Sequence, residues 1–414
     1  MTNDNHSPAY SRYALALLLA VNLLNYIDRQ VLYAVFPLIK ADFDLSDTAL
    51  GLLGSAFMVC YMCSAPLLGW VGDRGNRIRL ASCGVAVWSL ATALSGFVPG
   101  YRTLLAARTV VGIGEASFGT VSPGLVADFF SKERRGQVLS YFYLAIPVGS
   151  AIGYLLGGLL GYHYGWRSAF LLVGAPGLLL AIVVWFLRDP KKHDVDQRRQ
   201  QGNTSLTTGY RALFKNRSFV VNTLAMAAMT FALGGLAQWM PSFLNRVHHL
   251  DVARGNTLFG VITVLAGISG TLTGGWLGDR SQRKSPKGYL LVSGWGFLIG
   301  TPIAVYAISA DSLSGCLTAM FFAEFFLFFN TGPLNTVIVN VSSSSCRAMA
   351  FAVNIFFIHA LGDAISPTIL GWLSDQWGLR SALLLTPAAI AAAAGFCFLC
   401  TRFIRQDMES AERL

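Results

Sequence analysis

The sequence predicts an all-α membrane protein of twelve transmembrane helices, arranged as two pseudo-symmetric six-helix bundles. The chain has 414 residues, of which 54% are hydrophobic and 13% are charged. A typical soluble domain carries about twice that charged fraction. Apolar runs of about 20 residues, the length that crosses the hydrocarbon core of a bilayer, recur along the whole chain. The third observation is an internal repeat, described below.

Each span is placed by its hydropathy and by the position of the flanking charges. We number the spans 1 to 12 in chain order and keep these numbers throughout. Their predicted positions are residues 11–39, 46–71, 80–98, 102–129, 138–162, 168–187, 217–244, 255–278, 289–309, 312–341, 347–373 and 379–404.

Two pairs of short strings recur in the two halves of the chain. GWVGDRGNR, from Gly69, returns as GWLGDRSQR from Gly275, and GWRSAFLL, from Gly165, returns as GLRSALLL from Gly378. Each pair is separated by a little over two hundred residues. Because matching positions fall on the same side of the membrane, the halves are parallel repeats of six helices. The predicted domains are residues 1–187, a cytoplasmic linker at 188–216, and residues 217–414.

The basic residues predict the orientation. The formal net charge is +10, which is compatible with nucleic-acid binding, but the basic residues collect in the linker and in the loops on one side. Outside the linker they are Arg74, Arg77, Arg79, Lys132, Arg134, Arg135, Arg280, Arg283, Lys284 and Lys287. This bias predicts cytoplasmic termini, and it favours contact of these loops with anionic membrane lipids over nucleic acid. We expect a multi-pass protein of a bacterial inner membrane, acting as a monomer.

Enzyme chemistry is not predicted. The glycines near Gly69 are not followed by the Gly-Lys-Ser/Thr of a phosphate-binding loop, and no nucleophile–base set or metal-ligand spacing stands out. The C-x-x-C pairs at Cys60 and Cys397 are interpreted as apolar helix residues. We therefore expect no cofactor. The coupling ion that we expect is the proton.

The repeated loop resembles the best-known motif of the major facilitator superfamily, Gly-x-x-x-Asp-Arg-x-x-Arg between spans 2 and 3. RTVVGIGEAS from Arg108 and PVGSAIGYLLGG from Pro147 resemble that superfamily's motifs in spans 4 and 5. The resemblance covers nearly the full chain. It implies that contacts made by the motif loops hold the cytoplasmic side of the transporter closed and break when that side opens. The alternative is that turn chemistry and the charge bias alone explain the residues of these loops. The gating residues implied are Asp73, Arg74, Arg77, Asp279, Arg280 and Arg283.

A narrower resemblance is to the spinster branch. The strings that carry it are LNYIDRQVL in span 1, from Leu24, and HALGDAISPTILGWLSD in span 11, from His359. Anion–cation symporters carry an Asn-Tyr-x-Asp-Arg similar to that of the first string, so the second is the more discriminating. The resemblance implies movement of sphingosine phosphate or lysophospholipids, coupled to protons.

Ionisable residues inside the spans are the candidate functional residues, because each is expensive to keep in a membrane. Span 1 starts from the cytoplasmic side of the membrane and span 4 from the opposite side. At 1.5 Å per residue, Asp28 therefore lies at a membrane depth between those of Arg108 and Glu115. We expect a cluster of Asp28, Arg108 and Glu115, with Arg29 adjacent. Burial disfavours a charged carboxylate and a guanidinium favours it, so release of the arginine admits a proton. The cluster therefore predicts proton coupling, and a purely structural ion-pair network is the alternative.

The second half offers candidates for the substrate site, in addition to Arg108. Glu324 lies 209 residues after Glu115, in FFAEFFLFFNTGPLN, where Phe322 and Phe326 would form a wall for a lipid tail or else face the bilayer. His359 and Asp363, four residues apart, share a helix face. They would form either a polar patch that faces the cavity or a gate, or a mutually satisfied pair at a contact between helices. Trp239, beside Pro241, suggests a kinked outer gate or an interfacial belt residue.

These expectations converge on a proton-coupled secondary transporter that works by alternating access on an amphipathic lipid. The alternatives are a transporter of small organic anions and a drug-efflux pump. An intramembrane lipid enzyme and a non-transporting receptor or scaffold are disfavoured. The three glycines at Gly149, Gly153 and Gly157, four residues apart in span 5, predict close helix packing without a ligand.

Overall fold

The structure is a computed structural model that describes residues 8–131, 134–190, 213–343 and 347–412, apart from a few side chains within these ranges. The described residues form helices and their connections, with no strand among them. Twelve helical segments of the described chain are long and apolar enough to cross a membrane. The predicted fold class is confirmed.

The observed spans agree with the predicted ones to within a few residues. In chain order they are Pro8–Ala34, Asp47–Gly72, Arg77–Ser95, Tyr101–Asp128, Gln137–Tyr164, Trp166–Trp185, Arg217–Val247, Val252–Gln282, Gly288–Ser309, Leu313–Val341, Met349–Trp377 and Leu379–Cys400. Short helices flank them at Phe36–Phe43 and Ile404–Glu412.

The second pair of repeated strings, GWRSAFLL and GLRSALLL, adopts the same local structure in both halves. Gly165 and Gly378 have positive φ angles of 82° and 79°, each at the junction of two consecutive spans. That conformation favours glycine, which has no Cβ to clash. Two asparagines that are not repeat counterparts each precede the first residue of a span. Asn76 does so for span 3 and Asn216 for span 7, and each side chain accepts a hydrogen bond from the backbone N–H three residues on, at 3.0 and 2.8 Å.

Four of the described spans are interrupted. Span 5 consists of Arg135–Tyr143 and Ala145–Tyr164, span 10 of Leu313–Phe328 and Thr331–Val341, and span 12 of Leu379–Leu383 and Leu385–Cys400. Span 11 contains a π-helical turn, His359–Asp363, in which Gly362 leaves helical geometry. Single π turns inside α-helices are often found at functional sites.

The chain forms two compact units. The first contains Met1–Gly202 and Leu250–Gly260, and the second contains Asn203–His249 and Val261–Leu414. The segment Leu250–Gly260, which begins span 8, packs within the first unit. The Asn256 amide donates to the Ala34 carbonyl at 3.0 Å, and the Phe259 and Tyr154 rings meet edge to face at 4.8 Å.

Close packing of spans 1 and 5 fixes the position of Asp28 in the first unit. A Cβ atom at Gly149 would lie 2.8 Å from the Leu23 carbonyl oxygen, and one at Gly153 would lie 2.6 Å from that of Ile27. A Cβ atom at Gly157 would lie 2.7 Å from the Cβ atom of Ala34. The close packing predicted from the glycine spacing is therefore confirmed.

Candidate functional site

The first ion pair of the site joins spans 1 and 4. The Arg29 Nε donates to Glu115 Oε2 at 2.6 Å. The Arg29 guanidinium carbon lies 5.1 Å from the centroids of three rings, those of Tyr26, Phe57 and Tyr61. Cation–π attraction in a dry site is worth about 2 kcal/mol, so the rings help to hold the guanidinium. The second carboxylate oxygen of Glu115 has no hydrogen-bond partner among the described residues.

The second ion pair lies one residue away on span 1. The Arg108 Nη1 donates to Asp28 Oδ1 at 3.5 Å, and the Thr92 hydroxyl of span 3 donates to Asp28 Oδ2. Both charged side chains of this pair are almost completely buried. The Arg108 Nε has no hydrogen-bond partner among the described residues.

The structure brings together the four residues predicted to cluster, but it distributes them into two pairs. Glu115 is bound by Arg29 rather than by Arg108, although Arg108 and Glu115 share a face of span 4. The side chain of Arg29 is 16% exposed and that of Arg108 is 1% exposed. Arg29 is therefore the guanidinium of the site that a ligand can reach most directly.

Glu324 is the buried acid of the second unit. The Thr263 hydroxyl of span 8 donates to Glu324 Oε1 at 3.3 Å, while Oε2 has no partner among the described residues. Glu324 differs from Glu115 in this respect, since no described arginine, lysine or histidine forms an ion pair with it.

The phenylalanines predicted to accompany Glu324 lie elsewhere on the helix. Two residues along an α-helix correspond to a rotation of about 200°, so Phe322 and Phe326 lie on the side opposite Glu324. Phe322 is about half exposed. A Cβ atom at Gly300 of span 9 would lie 3.0 Å from the Phe326 Cβ, so Phe326 packs on that span. The expected wall of Phe322 and Phe326 around Glu324 is not formed.

The π turn of span 11 brings a second acid to a position that is equivalent to Asp28 in the repeat. The His359 Nδ1 lies 2.8 Å from Asp363 Oδ1. A Cβ atom at Gly234 of span 7 would lie 2.4 Å from the Asp363 Cβ. Gly234 follows Asp28 by 206 residues, as Gly275 follows Gly69. The second unit therefore supplies its acid at this level from span 11, which the sequence repeat did not indicate.

Trp239 is a buried packing residue. It is 0% exposed, and its indole Nε1 donates to the Pro367 carbonyl of span 11 at 3.1 Å. An interfacial belt residue would face lipid, so that interpretation is wrong. The helix Arg217–Val247 also continues through Pro241 without interruption.

The motif loop of the first half is fixed by an ion-pair network. The Arg77 guanidinium donates to Asp189, which follows span 6, at 2.5 and 3.2 Å, and to Asp128 at the end of span 4 at 2.8 Å. Arg135 lies 3.8 Å from Asp128. The sequence analysis missed Asp128 and Asp189. Their position at span ends on a side rich in arginine and lysine is the signal that could have found them.

The other predicted gating residues make different contacts. Asp279 accepts a hydrogen bond from the Tyr289 hydroxyl at 2.8 Å. Arg74 and Arg280 each stack on a tryptophan, at 4.2 and 5.7 Å. The side chain of Asp73 and most of the predicted linker, residues 191–212, lie outside the described part of the chain. Among the described ion pairs none involves Arg283, the repeat counterpart of Arg77.

Comparisons with known proteins agree with this architecture. The family model of the Major Facilitator Superfamily matches residues 18–367. The chain is 33% identical over 428 residues to the sphingosine-1-phosphate transporter SPNS2 of Danio rerio, covering 95% of this chain and 84% of that protein. It is 34% identical over 446 residues to protein spinster homolog 1 of Homo sapiens, covering 98% and 83%.

A solved structure shows the same fold. The crystal structure of a bacterial homolog to the human lysosomal transporter Spinster, inward-facing and unoccupied, superposes with a TM-score of 0.87. The two chains are 24% identical, and the match covers 97% of this chain and 99% of that one. Twelve apolar spans, the repeated motif loop and these relatives together show that the chain belongs to the spinster family of the major facilitator superfamily, as a multi-pass membrane transporter and not an enzyme.

Proposed function

We propose that this transporter couples the movement of protons to that of an amphipathic lipid with an anionic headgroup, such as sphingosine phosphate or a lysophospholipid. The observation that carries the proposal is the pair of buried ion pairs on spans 1 and 4. Their carboxylates are almost completely buried, and charged groups kept in a membrane interior usually serve transport or proton transfer. The name of the zebrafish relative, a sphingosine-1-phosphate transporter, supports the substrate class.

The exposure of Arg29 suggests the first step. A phosphate headgroup would bind the guanidinium of Arg29 in place of Glu115, because arginine binds phosphate and carboxylate through the same N–H edge. The three surrounding rings hold the guanidinium while its partner changes. The released Glu115 would then be a buried carboxylate without a cation.

Protonation would follow from that release. An unpaired buried carboxylate is costly, and taking up a proton removes its charge. Asp28 keeps Arg108 and Thr92 as partners during the same step, so Glu115 is the carboxylate that takes the proton first. Interacting acids titrate together, and Asp28 would respond to the charge of Glu115. In this mechanism the proton enters only when the anionic headgroup has displaced the carboxylate.

Glu324 would contribute separately, in the second unit. It has one unpartnered oxygen and no cationic partner among the described residues, so it suits an ammonium group of the substrate. His359 and Asp363, at the interruption of span 11, are proposed to belong to the polar lining of the substrate path. We further propose cytoplasmic termini, on the basis of the charge bias. A bacterial inner membrane location and a monomeric working unit are also part of the proposal.

Transport by proteoliposomes tests this function. Native protein, Asp28→Asn and Glu115→Gln are reconstituted with a pH-sensitive dye inside, and labelled sphingosine phosphate or lysolipid is added with and without a proton gradient. We expect native protein to move the lipid together with protons. Both variants should lose gradient-driven transport at least about a hundredfold, the lower end of what positioned proton transfer contributes, while exchange of lipid without a gradient persists.

The matched control is Glu409→Gln, which neutralises an exposed carboxylate on the C-terminal helix. It should transport like native protein. Loss of both driven transport and exchange in site variants that remain folded after reconstitution would mean that the ion pairs are structural. If native protein ignores the lipid but small organic anions or drugs dissipate the proton gradient, the substrate assignment is wrong and one of those alternatives replaces it.

A further inference from the structure

Three exposed tryptophans each carry an arginine stacked over the ring. They are called the Trp–Arg pairs here. With the distance from the guanidinium carbon to the ring centroid, they are Arg74–Trp70 (4.2 Å), Arg79–Trp185 (5.6 Å) and Arg280–Trp276 (5.7 Å).

The Trp–Arg pairs all lie at span ends on the side of the membrane to which both chain ends belong. The first is at the end of span 2, the second joins the start of span 3 to the end of span 6, and the third is at the end of span 8. Two pairs belong to the first unit and one to the second. Trp70 is 54% exposed, Trp185 is 46% exposed and Trp276 is 60% exposed. Exposed tryptophans at span ends lie at the level of the lipid headgroups.

A comparison with the opposite side shows what these arginines lack. Arg167, at the start of span 6, also stacks on a tryptophan, Trp166, at 4.3 Å. Its guanidinium donates to the Asp42 carboxylate at 2.7 Å. None of the ion pairs found among the described residues involves Arg74, Arg79 or Arg280. The stacked arginine therefore forms an ion pair with a protein carboxylate on one side of the membrane, and on the other side no such pair is found within the described ranges.

The chemistry of the guanidinium identifies the partner. Stacking occupies one face of the planar group and leaves the N–H edge free, and that edge binds a phosphate through two parallel hydrogen bonds. The anion available at headgroup level is the phosphate of a phospholipid. A zwitterionic lipid carries its own cation beside the phosphate, so a lipid with net negative charge is preferred.

We propose that the Trp–Arg pairs bind the headgroups of anionic phospholipids on the side of the chain ends. Two pairs hold the connection between spans 2 and 3 to the membrane surface, and the third holds the equivalent connection in the other unit. Since these are the motif loops, the lipid composition of that leaflet acts directly on them. This role is separate from substrate transport.

The test measures which lipid lies next to the protein. Native protein is placed in bilayer discs of phosphatidylcholine that contain a small fraction of dansyl-labelled phosphatidylglycerol or, in parallel, dansyl-labelled phosphatidylcholine. Energy transfer from tryptophan to dansyl reports the local enrichment. One charge near an anionic surface contributes about 1 kcal/mol, so we expect about fivefold enrichment of the anionic lipid at each pair.

Two charge-matched variants locate the effect. The triple variant Arg74→Gln, Arg79→Gln and Arg280→Gln removes the stacked arginines, and Lys215→Gln, Lys284→Gln and Lys287→Gln removes three exposed charges from the same side. Both keep all nine tryptophan donors. We expect the arginine variant to lose the preference and the lysine variant to retain it.

Equal loss in both variants would assign the preference to the diffuse positive potential and overturn the proposal. Absence of a preference in native protein would overturn it as well. A second measurement needs no variant: native mass spectrometry of protein purified from a mixture of the two lipids should show phosphatidylglycerol retained over phosphatidylcholine. Equal retention of both lipids contradicts the proposal.

Discussion

Replacing Arg108 by glutamine is expected to destabilise the first unit by about 3–5 kcal/mol, the usual cost of removing one partner of a buried ion pair. Asp28 would remain almost completely buried with Thr92 as its only remaining donor among the contacts described. Asp28→Asn should be comparably harmful, because it leaves the Arg108 guanidinium buried without an anion. The double variant, in which both groups are neutral, should recover most of the loss.

The measurement is the free energy of unfolding by denaturing detergent in mixed micelles, for native protein, both single variants and the double variant. A coupling energy of several kcal/mol between the two positions confirms that the pair is closed in the folded protein. Additive losses would contradict it, since independent sites add. Arg102→Gln, which alters an exposed arginine near the start of the same span, is the control and should change stability by less than about 0.5 kcal/mol.

The double variant also separates structure from coupling. If the ion pair only orients spans 1 and 4, a stable double variant should transport with the native response to a proton gradient. If Asp28 takes part in coupling, the double variant should fold and exchange lipid but respond less to the gradient. We expect the second outcome.

Replacing Gly274 by alanine is expected to destabilise the second unit by at least about 3 kcal/mol, the upper end of the usual cost of overpacking a core. A Cβ atom there would lie 1.8 Å from the Phe329 carbonyl oxygen, at the interruption of span 10. Backbone cannot move aside as a flexible side chain can, so spans 8 and 10 would have to separate.

The adjacent residue provides the control. A Cβ atom at Gly275 would meet nothing within 4 Å, and alanine is favoured over glycine inside a helix by about 1 kcal/mol. Gly275→Ala should therefore leave stability unchanged or raise it, although Gly275 is the glycine of the repeated motif. Unfolding free energies of the two variants, measured side by side, decide the matter. Equal effects at both positions would show that the close approach of spans 8 and 10 does not occur.

Much of the fold was predictable because the bilayer restricts what a sequence can do. Twelve apolar stretches can only be spanning helices, and their bounds follow from hydropathy and flanking charge. The repeat was equally visible, since Gly165 and Gly378 have φ angles of 82° and 79° with ψ of 156°, a combination that is essentially restricted to glycine. The levels of Asp28, Arg108 and Glu115 followed from the rise per residue, so their proximity was predicted correctly.

The pairing within that group was not predictable. Level along a helix depends on residue number alone, but the direction of a side chain depends on how the helix is rotated against its neighbours. Arg29 reaches Glu115 because rings from spans 1 and 2 surround it. The same reasoning explains why Phe322 was wrongly grouped with Glu324, since proximity in the sequence did not account for the helix face.

What the sequence by itself determined about this protein is its class, its repeat and the identity and depth of its buried charges, because membrane insertion acts on one helix at a time. Only the tertiary structure decided that Asp189 binds Arg77, that Asp363 lies against Gly234 and that Trp239 is buried against span 11. These contacts join residues more than a hundred positions apart. They depend on the packing of one helix against another, which no local pattern in either helix records.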